Sequence, residues 1–300
     1  KNKTMKTVLD VIKESEERYS KNLEQAAEEI SKTDIKLLLV AGPSCAGKTT
    51  SSDRLSKHLK ARGRSTKTIS LDDFYVSLDK TPKTPEGKYD FETIYALELD
   101  LIWECFQSLC EGRETFIPLF DFKTHARVEK AQCLRLKEGE ICIVEGLHAL
   151  NPLIYKDCVD EKFVYKVFLD SFDGSGEKEK ARLYRRLARD YYYRNADAQR
   201  TLELWDNVVR SERINIRTFE NLADVTINTY LDYEQGVLKR AVMKVLSDLP
   251  NSSKYAAVAK ELIDSIKSVE PINFELVPEE SLLQEFIPPL DKRQELLAFA

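Results

Sequence analysis

Gly42, Gly47, Lys48 and Thr49 follow the spacing Gly, four residues, Gly-Lys-Thr, inside the run 37–50. These residue types at this spacing suit a chain of phosphates. Glycines let the backbone wrap an anion without Cβ clashes. The turn should open onto a helix N-terminus, where free N–H groups and the helix dipole favour negative charge. Gly42, Ser44, Cys45, Ala46, Gly47, Lys48, Thr49 and Thr50 are therefore the expected cradle for a nucleoside triphosphate. Lys48 is placed to reach the β- and γ-phosphates, and the Thr49 hydroxyl to hold Mg²⁺. The competing reading is an ordinary glycine-rich turn. An apolar strand before the loop and a helical stretch, 50–61, after it favour the nucleotide cradle.

Phosphoryl transfer also needs an acid or base near the acceptor and oxygen ligands for the metal. Asp72, Asp73 and Glu145 each follow a predicted strand, and the strand leading to Asp72 is expected beside the one that enters the loop. Ligands of open parallel sheets gather at such strand ends. Asp72 is the candidate base and Glu145 the candidate metal-side acid, although an acid at one strand end alone would more simply cap a turn. Arg182, Arg185, Arg186 and Arg189 repeat at helical spacing, with Asp190 and Arg194 beyond. Four guanidinium groups on one helix face suit phosphate oxygens. The bland alternative is a solvated helix paired to Glu177 and Glu179. Gly174 and Gly176 precede the helix and could hinge it as a lid.

The elements that must position these residues follow from periodicity. A charged helix is expected over 4–31, with Val8, Leu9, Ile12, Tyr19, Leu23, Ala26, Ala27 and Ile30 as its apolar stripe. Strands are expected at 35–41, 66–71, 141–144, 162–169 and 225–228. Near-continuous apolar runs fit strands covered on both faces. Helices are expected at 97–110, 178–194, 201–220, 231–246 and 255–267, and a hairpin from 115–122 and 132–136 with His125 near its tip. The loop 77–90, with Pro82, Pro85 and Gly87, is long enough to suggest function. Alternating strands and helices predict an α/β fold with a parallel sheet covered by helices on both faces.

Composition narrows the classes. Three hundred residues suggest one large or two modest domains. A net charge of −5, with both signs mixed along the chain, offers no field for nucleic acid or anionic lipid. No apolar run approaches a membrane span, and no signal-peptide core is present. Six scattered cysteines without a C-x-x-C pair read as reduced thiols of a cytoplasmic protein. Three histidines have no zinc-ligand spacing. The chain begins at Lys1 rather than methionine, so a trimmed fragment is expected.

Six segments in order carry a resemblance: G-P-S-C-A-G-K-T-T, L-D-D-F-Y, Y-D-F-E, I-P-L-F-D-F-K-T-H-A-R, I-V-E-G-L-H and R-L-Y-R-R-L-A-R-D-Y. Over about residues 35–240 the chain resembles the uridine kinase / phosphoribulokinase family. It looks most like the bacterial-type uridine kinase-like proteins that often carry extra N-terminal domains. Val277 to Ile287 also resembles the ending of that subgroup. The resemblance implies a P-loop NTPase fold with a hairpin insertion at about 115–137 and an arginine-rich lid at about 174–200. The kinase domain would span 34–248, between a helical extension at 1–33 and a C-terminal extension at 249–300.

By the same resemblance, Asp72 takes the proton of a nucleoside 5′-hydroxyl, and Lys48 and Arg185 share the catalytic work. Tyr75, Asp90, Phe120, Phe122, His125 and Arg182 would contact the acceptor. Asp90 would bind its ribose hydroxyls, and His125 its base. Arg186 and Arg189 would lie over ATP, and Thr49 and Glu145 at Mg²⁺. The implied activity is ATP-dependent phosphorylation of uridine or cytidine.

Two positions depart from the pattern. Phe120 stands where a base-contacting tyrosine is usual, and a ring without a hydroxyl can stack but not hydrogen-bond. Pro43 replaces a usual glycine, consistent with a distinct subgroup. A sugar phosphate acceptor, or a nucleotide-binding regulator without transfer, are the competing readings. The guanine-reading N-K-x-D and the L-S-G-G-Q signature are absent, which weighs against a GTPase and an ABC-type ATPase. His58 is expected on a helix surface, and Tyr191, Tyr192 and Tyr193 are expected to pack. His148 follows the Glu145 strand and is a lesser candidate for the site. A homo-oligomer is expected, the extensions serving as its surface or as a clasp on the sheet.

Overall fold

In the computed structural model, residues 6–122, 124–174 and 178–297 are described. Among them seven strands form: β1 (Leu37–Ala41), β2 (Thr66–Ser70), β3 (Thr115–Asp121), β4 (Ala126–Leu134), β5 (Ile141–Glu145), β6 (Val164–Asp170) and β7 (Val225–Asn228). β3 and β4 pair as an antiparallel hairpin. The other five make one sheet in the order β2-β5-β1-β6-β7, every neighbouring pair parallel.

The unbroken apolar runs have a simple origin. Leu38 and Val40 of β1, Ile141 and Ile143 of β5, and Val167 and Leu169 of β6 enter one core. Leu37, Leu39 and Ala41, Cys142 and Val144, and Val164 and Phe168 enter the other. Period-two alternation is still present, but both faces are dry.

Eight helices complete the described chain: α1 (Val8–Ser31), α2 (Lys48–Ala61), α3 (Leu99–Cys110), α4 (Lys178–Arg194), α5 (Ala198–Asn215), α6 (Glu234–Ser247), α7 (Ala256–Ile266) and α8 (Leu290–Leu296). α3 and the hairpin cover the face lined by Leu37 and Leu39. Apolar residues of α1, α2 and α4 to α8 share the opposite core. A parallel sheet whose first strand runs through a glycine loop into a helix, with helices on both faces, is the P-loop NTPase α/β fold. No helix among the described residues is long and apolar enough to cross a membrane.

α1 is integral to this packing. Ile12, Tyr19, Leu23, Ala26, Ala27 and Ile30 are buried as expected. Fully burying Leu23 or Ile30 contributes about 1.5–3 kcal/mol each. The Tyr19 hydroxyl lies 2.6 Å from Ser51 Oγ on α2, and Arg18 forks onto Asp232 at 2.7 and 3.1 Å. Val8 and Leu9, expected in the stripe, are exposed. They lie in the first turn, which Thr7 and Asp10 cap reciprocally.

Three other expectations are corrected. β4 begins at Ala126 rather than 132, because its polar, largely exposed residues carry no readable apolar period. The helix expected to reach 220 ends at Asn215, and a 3₁₀ turn, Arg217–Leu222, follows. β2 does not neighbour β1; β5 lies between them.

Candidate active site

Parallel strands deliver their carboxyl ends to one edge. Glu145 at the end of β5 stands in register with Val40 of β1 on one side and Ser70 of β2 on the other. The phosphate loop therefore leaves the sheet on one flank of Glu145, and the turn bearing Asp72 leaves on the other. Gly146 makes this fit possible. A Cβ there would lie 2.7 Å from Leu71 Cβ, so the 3₁₀ turn Leu71–Phe74 rests directly on the glycine backbone.

The loop has the form its spacing predicts. A Cβ on Gly42 would meet Leu169 O at 2.4 Å, so only glycine lets the loop cross β6 this closely. Gly47 caps α2 with φ +78°, and Cys45 also has positive φ, at 64°. Thr49 is exposed on the first turn of α2, and Lys48 is half-buried. Lys48 Nζ donates to the carbonyls of Gly42 and Pro43 at 3.0 and 3.2 Å.

Electrostatics tie the three strand ends together. Burial pushes the Lys48 ammonium below its usual range, against the pull of Glu145 and Asp72. Crowding by protein raises the Asp72 carboxyl, although the residue stays open to water on one side. Lys48 opposes that rise, and so do Arg194 and Arg189. Glu145 is raised chiefly by burial, with Lys48 and the Ser70 hydroxyl pulling the other way. Asp72, Glu145 and Lys48 thus belong to the same carboxyl edge of the sheet, where β5 stands in register between β1 and β2. Asp73 turns elsewhere: its Oδ1 accepts the Phe120 N–H at 3.4 Å and fastens the hairpin.

The arginine cluster divides, and the lid expectation is corrected for its first half. Arg182 and Arg185 have no exposed surface. Arg182 pairs with Glu212 at 2.9 Å and donates to Ser44 O at 3.1 Å. Arg185 forks onto Glu234 at 3.0 and 2.6 Å and donates to Cys45 O at 3.0 Å and Thr229 O at 2.8 Å. Both guanidinium groups are engaged by loop carbonyls and buried carboxylates, with Arg182 Nε left without a partner. The intervening Leu183, Tyr184, Leu187 and Ala188 are core residues, so this stretch of α4 does not swing free.

Arg186 reaches Ser44 Oγ at 3.0 Å and Asp190 at 3.2 Å. Arg189 and Arg194 flank Asp190 at 3.9 and 3.5 Å, and both favour the charged form of Asp72. Glu179 pairs with Arg213 rather than with the cluster, while Gly176 and Glu177 lie outside the described residues.

Aromatic residues wall the other end. Tyr75 contacts Phe120 and Phe122 at ring-centre distances of 5.5 and 5.8 Å, and Phe91 stacks on His125 at 5.9 Å. Phe120 is buried, and Phe122 is 55 % exposed at the rim. The Tyr75 hydroxyl donates to Phe91 O at 3.1 Å. Asp90 is close by, but its Oδ1 accepts the Glu92 N–H at 3.1 Å and closes a turn.

Glu92, which sequence reasoning passed over, lies two residues on and is partly buried. Burial raises its carboxyl, and Arg186, Asp90, Asp72 and Lys48 all act on it. A signal was available: in Asp-Phe-Glu, an aspartate two residues ahead tends to bind its own turn, leaving the glutamate free. His148 also belongs here. It is buried, burial holds its imidazole down to about 4, and Asp90 and Lys48 act on it. Its nitrogens lie near the Glu92 and Asn215 backbone without completing a hydrogen bond. His58 lies away from the site, partly buried on α2.

Among the described residues no three His, Cys, Asp or Glu side chains form a metal cage. Mg²⁺ needs none. It usually takes one or two protein oxygens and completes its shell with water and phosphate. Exposed Thr49 and half-buried Glu145 at the mouth of the loop fit that demand.

The model of the Phosphoribulokinase / Uridine kinase family matches residues 37–232. The chain is 28% identical to a uridine kinase of Saccharomyces cerevisiae over 202 residues, 66% of this chain and 38% of that protein. It is 31% identical to a uridine kinase of Schizosaccharomyces pombe over 199 residues, 66% of this chain and 40% of that protein. A uridine kinase of Macrococcus caseolyticus is 26% identical over 181 residues, 60% of this chain and 80% of that protein. The match thus spans less than half the length of the two yeast relatives.

Proposed function

The chain belongs to the Phosphoribulokinase / Uridine kinase family, and we propose that it is an ATP-dependent kinase acting on the 5′-hydroxyl of a nucleoside, with uridine or cytidine as first candidates. One observation carries the reading. The chain segments bearing Lys48, Asp72 and Glu145 leave the same carboxyl edge of the sheet, with Glu145 in register between Val40 of β1 and Ser70 of β2.

The chain's residues divide the work. The 42–50 backbone and Lys48 hold the triphosphate. The aromatic wall of Tyr75, Phe91, Phe120 and His125 suits a flat base. Glu92 and Asp90 offer carboxylate oxygens to ribose hydroxyls. Asp72 accepts the proton of the acceptor hydroxyl as that oxygen bonds to the γ-phosphorus. The bond from the γ-phosphorus to the β-bridging oxygen breaks, and ADP departs. Arg186, Arg189 and Arg194 lie where charge gathers on the transferring group. Mg²⁺ held near Thr49 and Glu145 would neutralise phosphate charge. Arg182 and Arg185 hold the loop carbonyls in place from below.

A panel of nucleosides and sugar phosphates, scored for acceptor-dependent ADP release, tests this. Uridine or cytidine should stimulate release and yield the 5′-monophosphate. Phe120 removes a hydrogen-bonding hydroxyl from the base pocket, which favours a second reading with a different acceptor. Stimulation by a sugar phosphate and by no nucleoside would establish that reading instead.

A further inference from the structure

The C-terminal segment crosses the phosphate loop. Leu282 is fully buried, and its side chain would lie 3.7 Å from a Cβ on Gly47. Ser281 caps the turn Leu282–Glu285 and meets the Tyr233 hydroxyl at 3.1 Å. Phe286 is fully buried, with the Arg185 and Arg189 guanidinium groups over its ring at 5.4 and 6.0 Å. Ile287 O accepts the Tyr193 hydroxyl at 2.7 Å. These anchors leave Glu285 between them, aimed at the start of α2. Glu285 Oε1 accepts the backbone N–H of Thr50 at 3.2 Å and also bonds its hydroxyl. Its charge is felt by Glu145.

The Thr50 amide belongs to the first turn of α2, which has no intrahelical partner. Such amides are the ones a phosphate loop turns toward phosphate oxygens. One N–H cannot serve a carboxylate and a phosphate fully at once. A fixed negative charge beside Glu145 also repels a polyphosphate.

We propose that Glu285 is an internal competitor for the inner phosphate position, so that nucleotide binds only by turning this carboxylate off Thr50. The proposal rests on the reading of 42–50 as a nucleotide cradle. Because Leu282 and Phe286 are core residues, the segment stays anchored and the switch is the Glu285 side chain. Nucleotide affinity is thereby held below what the loop alone would give.

The test is ATP binding by calorimetry to the full chain and its Glu285→Ala, Glu285→Gln and Lys48→Ala variants. Glu285→Ala should bind ATP about tenfold more tightly than the parent, Glu285→Gln more tightly by a smaller factor because its amide oxygen can still accept the Thr50 N–H, and Lys48→Ala much more weakly. If the parent binds, Lys48→Ala does not, and neither Glu285 variant gains affinity, the competitor is overturned while the cradle stands. If no protein in the set binds ATP, the cradle reading fails and the competitor with it. A structure of the parent with a non-hydrolysable ATP analogue decides the matter should either variant fold poorly. A phosphate oxygen on the Thr50 amide with Glu285 turned away supports the competitor. Glu285 still on Thr50 beside bound nucleotide overturns it.

Discussion

Lys48 and Asp72 follow strands β1 and β2, which β5 separates in the sheet. Glu145 bridges that gap, standing in register with both flanking strands. A carboxylate poised beside the phosphate-binding lysine is what proton removal from an acceptor requires.

Asp72→Asn should therefore lower kcat by roughly 10²–10⁴-fold, the usual contribution of a positioned acid or base. ATP affinity should change little, because the phosphates are held by the loop and Lys48. Steady-state kinetics beside calorimetry check this. Full turnover by the variant would remove Asp72 from the mechanism.

Arg185 should matter for stability before it matters for chemistry. Its fork is buried against Glu234, and breaking a buried pair costs about 3–5 kcal/mol. Arg185→Ala should lose stability of that order in urea unfolding. Arg185→Met combined with Glu234→Gln should recover part of it, since no uncompensated charge is then left inside. A variant with unchanged stability and collapsed kcat would instead put Arg185 on the transferring phosphate.

Glu92 carries a folded-state pKa raised chiefly by burial. A raised carboxyl contributes stability that is full below its unfolded pKa and is lost as pH rises through the folded value. Its charge at neutral pH therefore opposes folding. Glu92→Gln should melt higher than the parent at pH 8, by about 2 °C or more. The gain should close as pH falls toward the ordinary glutamate value, about 4.3. The same variant should raise the acceptor KM and leave the ATP KM nearly unchanged. A lower melting point at pH 8 would show that Glu92 is held by stabilising partners instead.

His148 works in the opposite direction. Burial lowers its imidazole from 6.5 to about 4. Between those values the unfolded chain binds a proton that the folded chain refuses, so stability falls as pH falls. Above 6.5 the contribution is fully present. A tenfold change in proton affinity corresponds to about 1.4 kcal/mol, so the loss at acid pH should reach a few kcal/mol at most. His148→Leu should flatten the fall between pH 6.5 and 4 in denaturation series. An unchanged slope would assign the fall to other groups.

Much of this protein could be read locally. The Gly42–Thr49 spacing determines a backbone shape through short-range sterics, and the structure has Gly47 at positive φ and the predicted helix after it. The buried strands announced themselves because both faces are dry, so nearly every residue in them is apolar. Strand ends bearing Asp72 and Glu145 needed only the rule that parallel strands point one way. Polar β4 gave no such signal, and its true start stayed hidden.

Availability of a side chain is another matter. Four arginines at helical spacing look equivalent in one dimension. Glu212 and Glu234, on other helices, tie two of them under the loop, and the exposed side is left to Arg186, Arg189 and Arg194. Asp90 and Glu92 differ in role because one closes a turn and the other is partly buried. Glu285 meets Thr50 from 235 positions away, a pairing no local pattern encodes. Sequence alone thus settled the backbone cradle and which runs are buried strands, since spacing and apolar pattern are local; the order of those strands came from pairings far apart in the chain. Tertiary packing alone decided which charges stay available at the carboxyl edge, because burial and pairing depend on partners brought together only when the cores close.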